Sequence, residues 1–404
     1  MPTNLSNFCE VEEENTEIEN ESDLVTDKNL FSQAVIWGTD WTVETINNQL
    51  HKGNIDLNPK FQRRNAWSLE KKSKLIESLI LGLPVPEIIL AENKKKKGSY
   101  IVIDGKQRLL AIRQFYSSSE TEEFPHYKLK SLEILKDLVG KTYADFGYQN
   151  ILNPYKEALD NQSIRTIIIK NWPNDDFLYT VFHRLNTGSV QLSPQELRQA
   201  LHPGPFIDFA ELFSRESQPI RKMLRLKEPD SRMRDVELVI HFFAFKNFLI
   251  RYRGRFKNFM DTSVEALNLL WTHDENRISY QATELEDAIN ATTQIFGENA
   301  FRKYSNGTFK NLFNRTVFEI MVYYFSDEQI RKSCIGKKTE IKNAFIDLCE
   351  SDPEFLRSLE IATKNLDKVV KRFSSWGLTL AKITSMDIQV PKLKDGKIEL
   401  VNSK

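Results

Sequence analysis

The sequence predicts an α+β protein: a mixed region of short strands and helices over 36–204, then a mostly helical region over 205–380. Two observations carry this. Tyr100 to Ile103 and Ser163 to Lys170 are short runs rich in β-branched residues and bounded by polar or turn residues, as buried strands are. After Pro205 the apolar residues recur at helical spacing instead. Over Met233 to Arg251 they cover a surface too wide for a solvent-facing helix, which fits the centre of a bundle.

The elements follow in order. Residues 1–35 read as an acidic disordered tail. Residues 1–50 hold eleven Asp and Glu against one Lys, a net charge of −10, so the remainder is +10 in a chain of zero net charge. Such a tail either solubilises or mimics nucleic acid and shields a basic surface. Trp41 to Leu50 reads as a helix, with Thr42 or Thr45 as cap. Glu70 to Leu81 is a stronger helix, stopped by Gly82 and Pro84. Val85 to Ala91 reads as a strand, Glu92 to Gly98 as a hairpin-like loop with Lys94 to Lys97 at its solvated tip, and Tyr100 onward as the next strand. Ser163 to Lys170 is another strand and Asp175 to Leu185 a helix. Ser193, Pro194 and Glu196 supply the cap, first position and first-turn acid of one more helix. Further helices are expected at Asp274 to Phe296, Phe309 to Phe325, Thr339 to Cys349 and Pro353 to Trp376. A short polar tail over 381–404, with a strand at Met386 to Val390, ends the chain.

Composition narrows the class. No stretch has the apolar length that spans a bilayer, and the polar N-terminus shows no secretory apolar region. Cys9, Cys334 and Cys349 are few and lack metal-ligand spacing, as expected of reduced cysteines in a cytoplasmic protein.

The chemistry concentrates in Ser99 to Phe115, SYIVIDGKQRLLAIRQF. A strand ends at Asp104 and Gly105, and a helix follows with Leu109, Leu110, Ile112 and Phe115 at its apolar positions. The first N–H groups of a helix lack partners, and Lys106 and Arg108 bring positive charge to the same place. Such a turn can hold a phosphate. The same residues also fit a plain turn, with Asp104 as N-cap and the cations as surface charges. A second cluster is Asn58 to Trp67, NPKFQRRNAW, in which Arg63 and Arg64 suit phosphate or carboxylate and Trp67 suits core or base stacking. The third is Phe182 to Ala200, FHRLNTGSVQLSPQELRQA, whose turn at Asn186 offers an amide oxygen to a ligand or simply caps a helix.

In their order, NP–QRR–W, LIESLILGLPVPEIIL, YIVIDGKQRLLAI and FHRLNTGSVQLSPQELRQA, these stretches resemble the N-terminal domain of GmrSD-type modification-dependent restriction endonucleases. The resemblance covers roughly residues 40 to 330. It implies a small ParB/sulfiredoxin-like mixed domain over 36–204 followed by a helical domain over 205–380. It further implies binding and hydrolysis of a nucleoside triphosphate, GTP being the first guess, with Mg2+. Carried over residue by residue, Asp104, Gln107 and Arg108 would be catalytic. Gln62, Arg63, Gly105, Lys106, Arg108 and Asn186 would bind the nucleotide. Asp104 or Asn186 would serve the metal, directly or through its ligands, with Glu77 a lesser candidate. Lys106 stands where the family usually has a second glutamine, which adds a cation beside the phosphates and puts hydrolysis in question.

Two-part members of that family carry a His–Asn–His nuclease. The histidines here, His51, His126, His183, His202, His241 and His273, are scattered. The expectation is therefore a sensor or switch of a phage-defence or restriction-type system acting on DNA, with a separate nuclease or effector subunit. Oligomerisation is left open. The alternative is a DNA- or partner-binding module with a degenerate nucleotide site. There Arg251, Arg253, Arg255 and Lys257, together with Lys60 to Lys74, would contact phosphates, unless both stretches are merely solvated.

Overall fold

The computed structural model describes residues 32–55, 57, 67–94, 96–118, 124–147, 151–185 and 193–403. They form two compact units that divide between Leu201 and His202.

The first unit is a four-stranded mixed sheet with helices on both faces. Its elements are β1 (Val35–Thr42), α1 (Val43–His51), α2 (Leu69–Ile80), β2 (Ile88–Glu92), β3 (Tyr100–Asp104), α3 (Lys106–Phe115), α4 (Asn153–Asn161), β4 (Ser163–Lys170), α5 (Asp175–Leu185) and α6 (Pro194–Leu201). The strand order is β1-β4-β2-β3, and β4 runs parallel to β2 but antiparallel to β1. Period-two alternation splits the core. Ile88, Leu90 and Val102 join Ile76, Leu79, Leu109 and Ile112 on one face. Ile89, Ala91 and Ile103 join Phe177, Leu178 and Leu197 on the other.

Most elements lie where the sequence pattern puts them, and the caps explain why. The hydroxyl of Ser68 accepts from Lys71 N and opens α2. Ser193 and Glu196 exchange hydrogen bonds, Ser193 N to Glu196 Oε2 at 2.7 Å and Glu196 N to Ser193 Oγ at 3.1 Å, a capping box that opens α6. The first helix differs from expectation. Trp41 and Thr42 end strand β1, and Thr42 caps α1. β1 is an edge strand with mostly exposed residues, so it carries no apolar alternation to read.

The second unit is mostly helical: α7 (Pro205–Glu216), α8 (Gln218–Met223), α9 (Arg234–Phe248), α10 (Phe256–His273), α11 (Glu275–Phe296), α12 (Arg315–Phe325), α13 (Glu328–Ser333), α14 (Lys338–Ser351), α15 (Pro353–Glu360) and α16 (Leu366–Thr384). α9 lies at its centre, with eleven consecutive residues from Asp235 to Phe245 buried. Two short strands, β5 (Tyr304–Ser305) and β6 (Thr308–Phe309), take Phe309 out of the helix expected there; Asn314 caps α12 instead. The end of the chain also departs from expectation. α16 runs on to Thr384, and β7 (Gln389–Lys394) pairs antiparallel with β8 (Lys397–Asn402). Val390 and Ile398 are buried. Gly377 lets this hairpin approach α16, since a Cβ there would stand 2.6 Å from Val390 Cγ1 and 2.3 Å from Tyr324 Oη. No helix among the described residues is long and apolar enough to cross a membrane.

Candidate functional site: the β3–α3 turn

β3 ends at Asp104, and Gly105 turns the chain into α3 with φ +98°. Only glycine sits there without strain. A Cβ would also lie 3.2 Å from Ile88 Cγ1 and 3.4 Å from Ile88 Cα. The turn thus passes tightly over β2, and the first N–H groups of α3 follow it with no side-chain cap.

The charged residues of the turn are engaged with the protein itself. Arg108 is buried; its guanidinium NH2 donates to Asp104 Oδ2 at 2.8 Å and to the Glu87 carbonyl at 2.9 Å. Asp104 is about one-quarter exposed and Arg108 closed off, at 23% and 6% of their side chains, so only the carboxylate has access to solvent. Lys106 Nζ lies 3.3 Å from Glu196 Oε1, which ties α3 on one face of the sheet to α6 on the other.

Buried amides lie on the two helices that the Lys106–Glu196 pair connects. Among the described residues, Gln107 Oε1 is buried without a hydrogen-bond partner. On α6, Gln195 and Gln199 are buried one turn apart; among the described residues, Gln195 Nε2 and both amide atoms of Gln199 have no partner. Gln195 Oε1 accepts from Arg198 NH1 at 2.9 Å. Glu196, which touches Lys106, sits three residues before Gln199 and so on a neighbouring stripe of the helix. Buried polar atoms without partners are uncommon and costly, and a bound polar ligand is one way they are satisfied.

Of the expected site residues, the structure brings Asp104, Gly105, Lys106, Gln107 and Arg108 together. Gln62, Arg63, Arg64 and Asn186 lie outside the described residues. Glu77 is not on a polar surface: it is buried, and accepts hydrogen bonds from the backbone N–H groups of Glu133, Ile134 and Leu135. Burial pushes its carboxyl up, but those three N–H groups outweigh it and leave the pKa below the ordinary range. Gln195 and Gln199 were not anticipated, although glutamines at i and i+4 flanking Leu197 on a short amphipathic helix were the available signal.

The expected basic stretch is split by the fold. Arg251, Arg253 and Arg255 are exposed. Lys257 is not part of that surface: it lies on the inward side of α10, 5% exposed, paired with Asp261 Oδ2 at 2.8 Å. Lys72 is likewise buried, its Nζ donating to Gln114 Oε1 at 2.8 Å, and burial pushes its pKa down to about 8. Lys94 is exposed but stacks on Trp172, 3.8 Å from the ring centre, and donates to the Pro173 carbonyl. Trp67 packs against the first core cluster.

No curated protein and no solved structure matches the chain. Residues 43–203 match the family described as GmrSD restriction endonuclease, N-terminal domain, whose setting is restriction and phage defence. That span starts at α1 and ends just past α6, so it holds the β3–α3 turn and the buried amides of α6. What the comparisons show is therefore a match over residues 43–203 to the GmrSD-type N-terminal domain.

Proposed function

We propose that the β3–α3 turn binds and hydrolyses a nucleoside triphosphate, and that the protein is a sensor or switch of a restriction system acting on DNA with a separate nuclease or effector subunit. One observation carries the nucleotide reading: among the described residues, buried amide atoms of Gln107 in the turn, and of Gln195 and Gln199 on the helix whose Glu196 holds Lys106, have no partner. The α3 N–H groups would bind phosphate oxygens. The amides would take the hydrogen-bonding edges of the ligand, and Gln107 Oε1 would orient a water. Among the described residues no three His, Cys, Asp or Glu side chains converge as a metal site. Magnesium binds through phosphates and waters with one or two carboxylates, and Asp104 would be its carboxylate here. Magnesium would neutralise phosphate charge when bound.

A second reading, a DNA- or partner-binding module without turnover, is favoured by a different observation. Arg108 and Lys106, the cations of the turn, are both held by protein carboxylates.

Hydrolysis of GTP, CTP, ATP and UTP with magnesium, with and without DNA, separates the two. Turnover that is lost in a folded Gln107→Ala variant supports the first. Binding without turnover supports a switch that does not hydrolyse, and neither binding nor turnover leaves the second.

A further inference from the structure

A cleft of about 260 Å3 opens in the helical unit between the end of α8, the C-terminal half of α11 and the 297–302 turn. That volume is near the lower end of the ~300–1,000 Å3 typical of small-molecule sites. Its floor is apolar, built by Ile289, Phe301 and Phe313, all buried. Its rim carries Lys222, Arg225 and Arg302 against a single carboxylate, Glu298. Among the described residues, none of these three cations has an ion-pair partner. They differ in this from Arg108, Lys106 and Lys257, each of which is paired.

The backbone at the rim holds unusual conformations. α8 ends in a Schellman motif: Leu226 N donates to the Arg221 carbonyl at 2.9 Å and Arg225 N to the Lys222 carbonyl at 3.2 Å. The residue in the left-handed position of that motif is usually glycine; here it is Arg225, at φ +52°. Phe301, on the floor, is also left-handed at φ +59°. Of the nine non-glycine residues with a left-handed φ among the described residues, these two line the cleft.

We propose that this cleft binds one nucleoside monophosphate unit, its phosphate on Arg225, Arg302 and Lys222 and its base against the apolar floor. An apolar floor beneath unpaired cations matches a ligand with a flat heterocycle and an anionic group. Two sources share this chemistry: a free nucleotide and a nucleotide within a DNA strand. The choice of a nucleotide rests on the reading of a restriction system acting on DNA, not on triphosphate turnover.

The test uses the full chain, titrated with a fluorescent single-stranded oligonucleotide and, separately, with AMP, CMP, GMP and TMP. Arg225→Gly removes a cation while giving the left-handed position its preferred residue, so its thermal midpoint should be unchanged or higher. Arg302→Ala removes a second cation. Each variant should weaken binding, and each should lower the slope of log affinity against log salt for the oligonucleotide by about 1. Mononucleotide binding that both substitutions weaken identifies a free nucleotide; the same loss seen with the oligonucleotide alone identifies a strand. Absence of binding to either probe, or affinity unchanged in both folded variants, overturns the proposal. Triphosphate turnover measured without DNA should be unaffected by Arg225→Gly. Turnover that is missing while this binding persists counts against the β3–α3 reading alone.

Discussion

Arg108 reaches back across Gly105 to Asp104, four residues earlier, and closes the β3–α3 turn with a 2.8 Å ion pair that also holds the Glu87 carbonyl at 2.9 Å. The same contacts fix how Asp104 is presented, because the guanidinium takes Oδ2 from within the protein. A residue expected to touch phosphates is thereby a residue that sets the turn. Arg108→Ala leaves Asp104 without its counter-charge and the Glu87 carbonyl without this donor. The expected loss is about 2–3 kcal/mol, less than for a fully buried pair because Asp104 keeps some solvent. Denaturant unfolding measures it. A loss below about 1 kcal/mol would mean the pair does not hold the turn.

Gly105→Ala tests the turn itself. The left-handed φ and the 3.2 Å approach to Ile88 act together, so the cost should be about 1–3 kcal/mol. Gly98→Ala is the comparison: its φ is +79° but nothing lies within 4 Å of its Cβ, so it should cost less. Equal thermal shifts in the two variants would show that close packing on β2 contributes nothing.

Lys72 makes the stability of the first unit depend on alkaline pH. Burial holds its pKa near 8, below the ordinary 10.5. Below pH 8 both folded and unfolded chains carry the proton, and the folded state bears the full cost of the buried charge. Between about 8 and 10.5 the folded chain releases the proton first, so stability rises with pH. Lys72→Met should therefore stabilise by ~1–3 kcal/mol near pH 7, reduced by the hydrogen bond Gln114 loses, and the advantage should shrink across that window. Parallel unfolding curves at pH 7 and pH 10 decide it; a constant difference would refute the assignment.

In the helical unit, His241 is fully buried, with Nδ1 2.9 Å from Glu319 Oε1 and Nε2 3.7 Å from Glu237 Oε1. Arg372 pairs with Glu319 at 2.6 Å, and Arg315 with Glu237 at 3.0 Å. Burial pushes the imidazole pKa down, but the carboxylates of Glu237 and Glu319 outweigh it and raise it. The stability this histidine contributes is complete below its unfolded value near 6.5 and is lost as pH rises through the higher folded value. The difference in thermal midpoint between the wild type and His241→Gln should thus narrow as pH is raised from 6. Glu319→Ala strands Arg372 and should cost about 3–5 kcal/mol.

The sequence by itself determined the local structure wherever periodicity and caps coincide. Ser68, Ser193 with Glu196, and Asp274 start helices in the structure because each cap satisfies N–H groups of its own first turn, which needs no distant partner. Strand β4 and the β3–Gly105–α3 turn were legible for the same local reason. The motif order also pointed to the GmrSD-type N-terminal domain whose model residues 43–203 match. What the tertiary structure alone decided is which polar groups face what. Arg108, Lys72, Lys257 and Glu77 look like surface charges in a linear reading, yet each is buried against a partner that only folding supplies. Trp41 and Thr42 extend β1 because β4 stands beside them, a partner more than 120 residues away along the chain. The amide atoms of Gln195 and Gln199 and the rim cations of the cleft in the helical unit that have no partners among the described residues belong to this class as well. Local bonds are written within a few residues, whereas burial and pairing depend on segments that meet only in the folded chain.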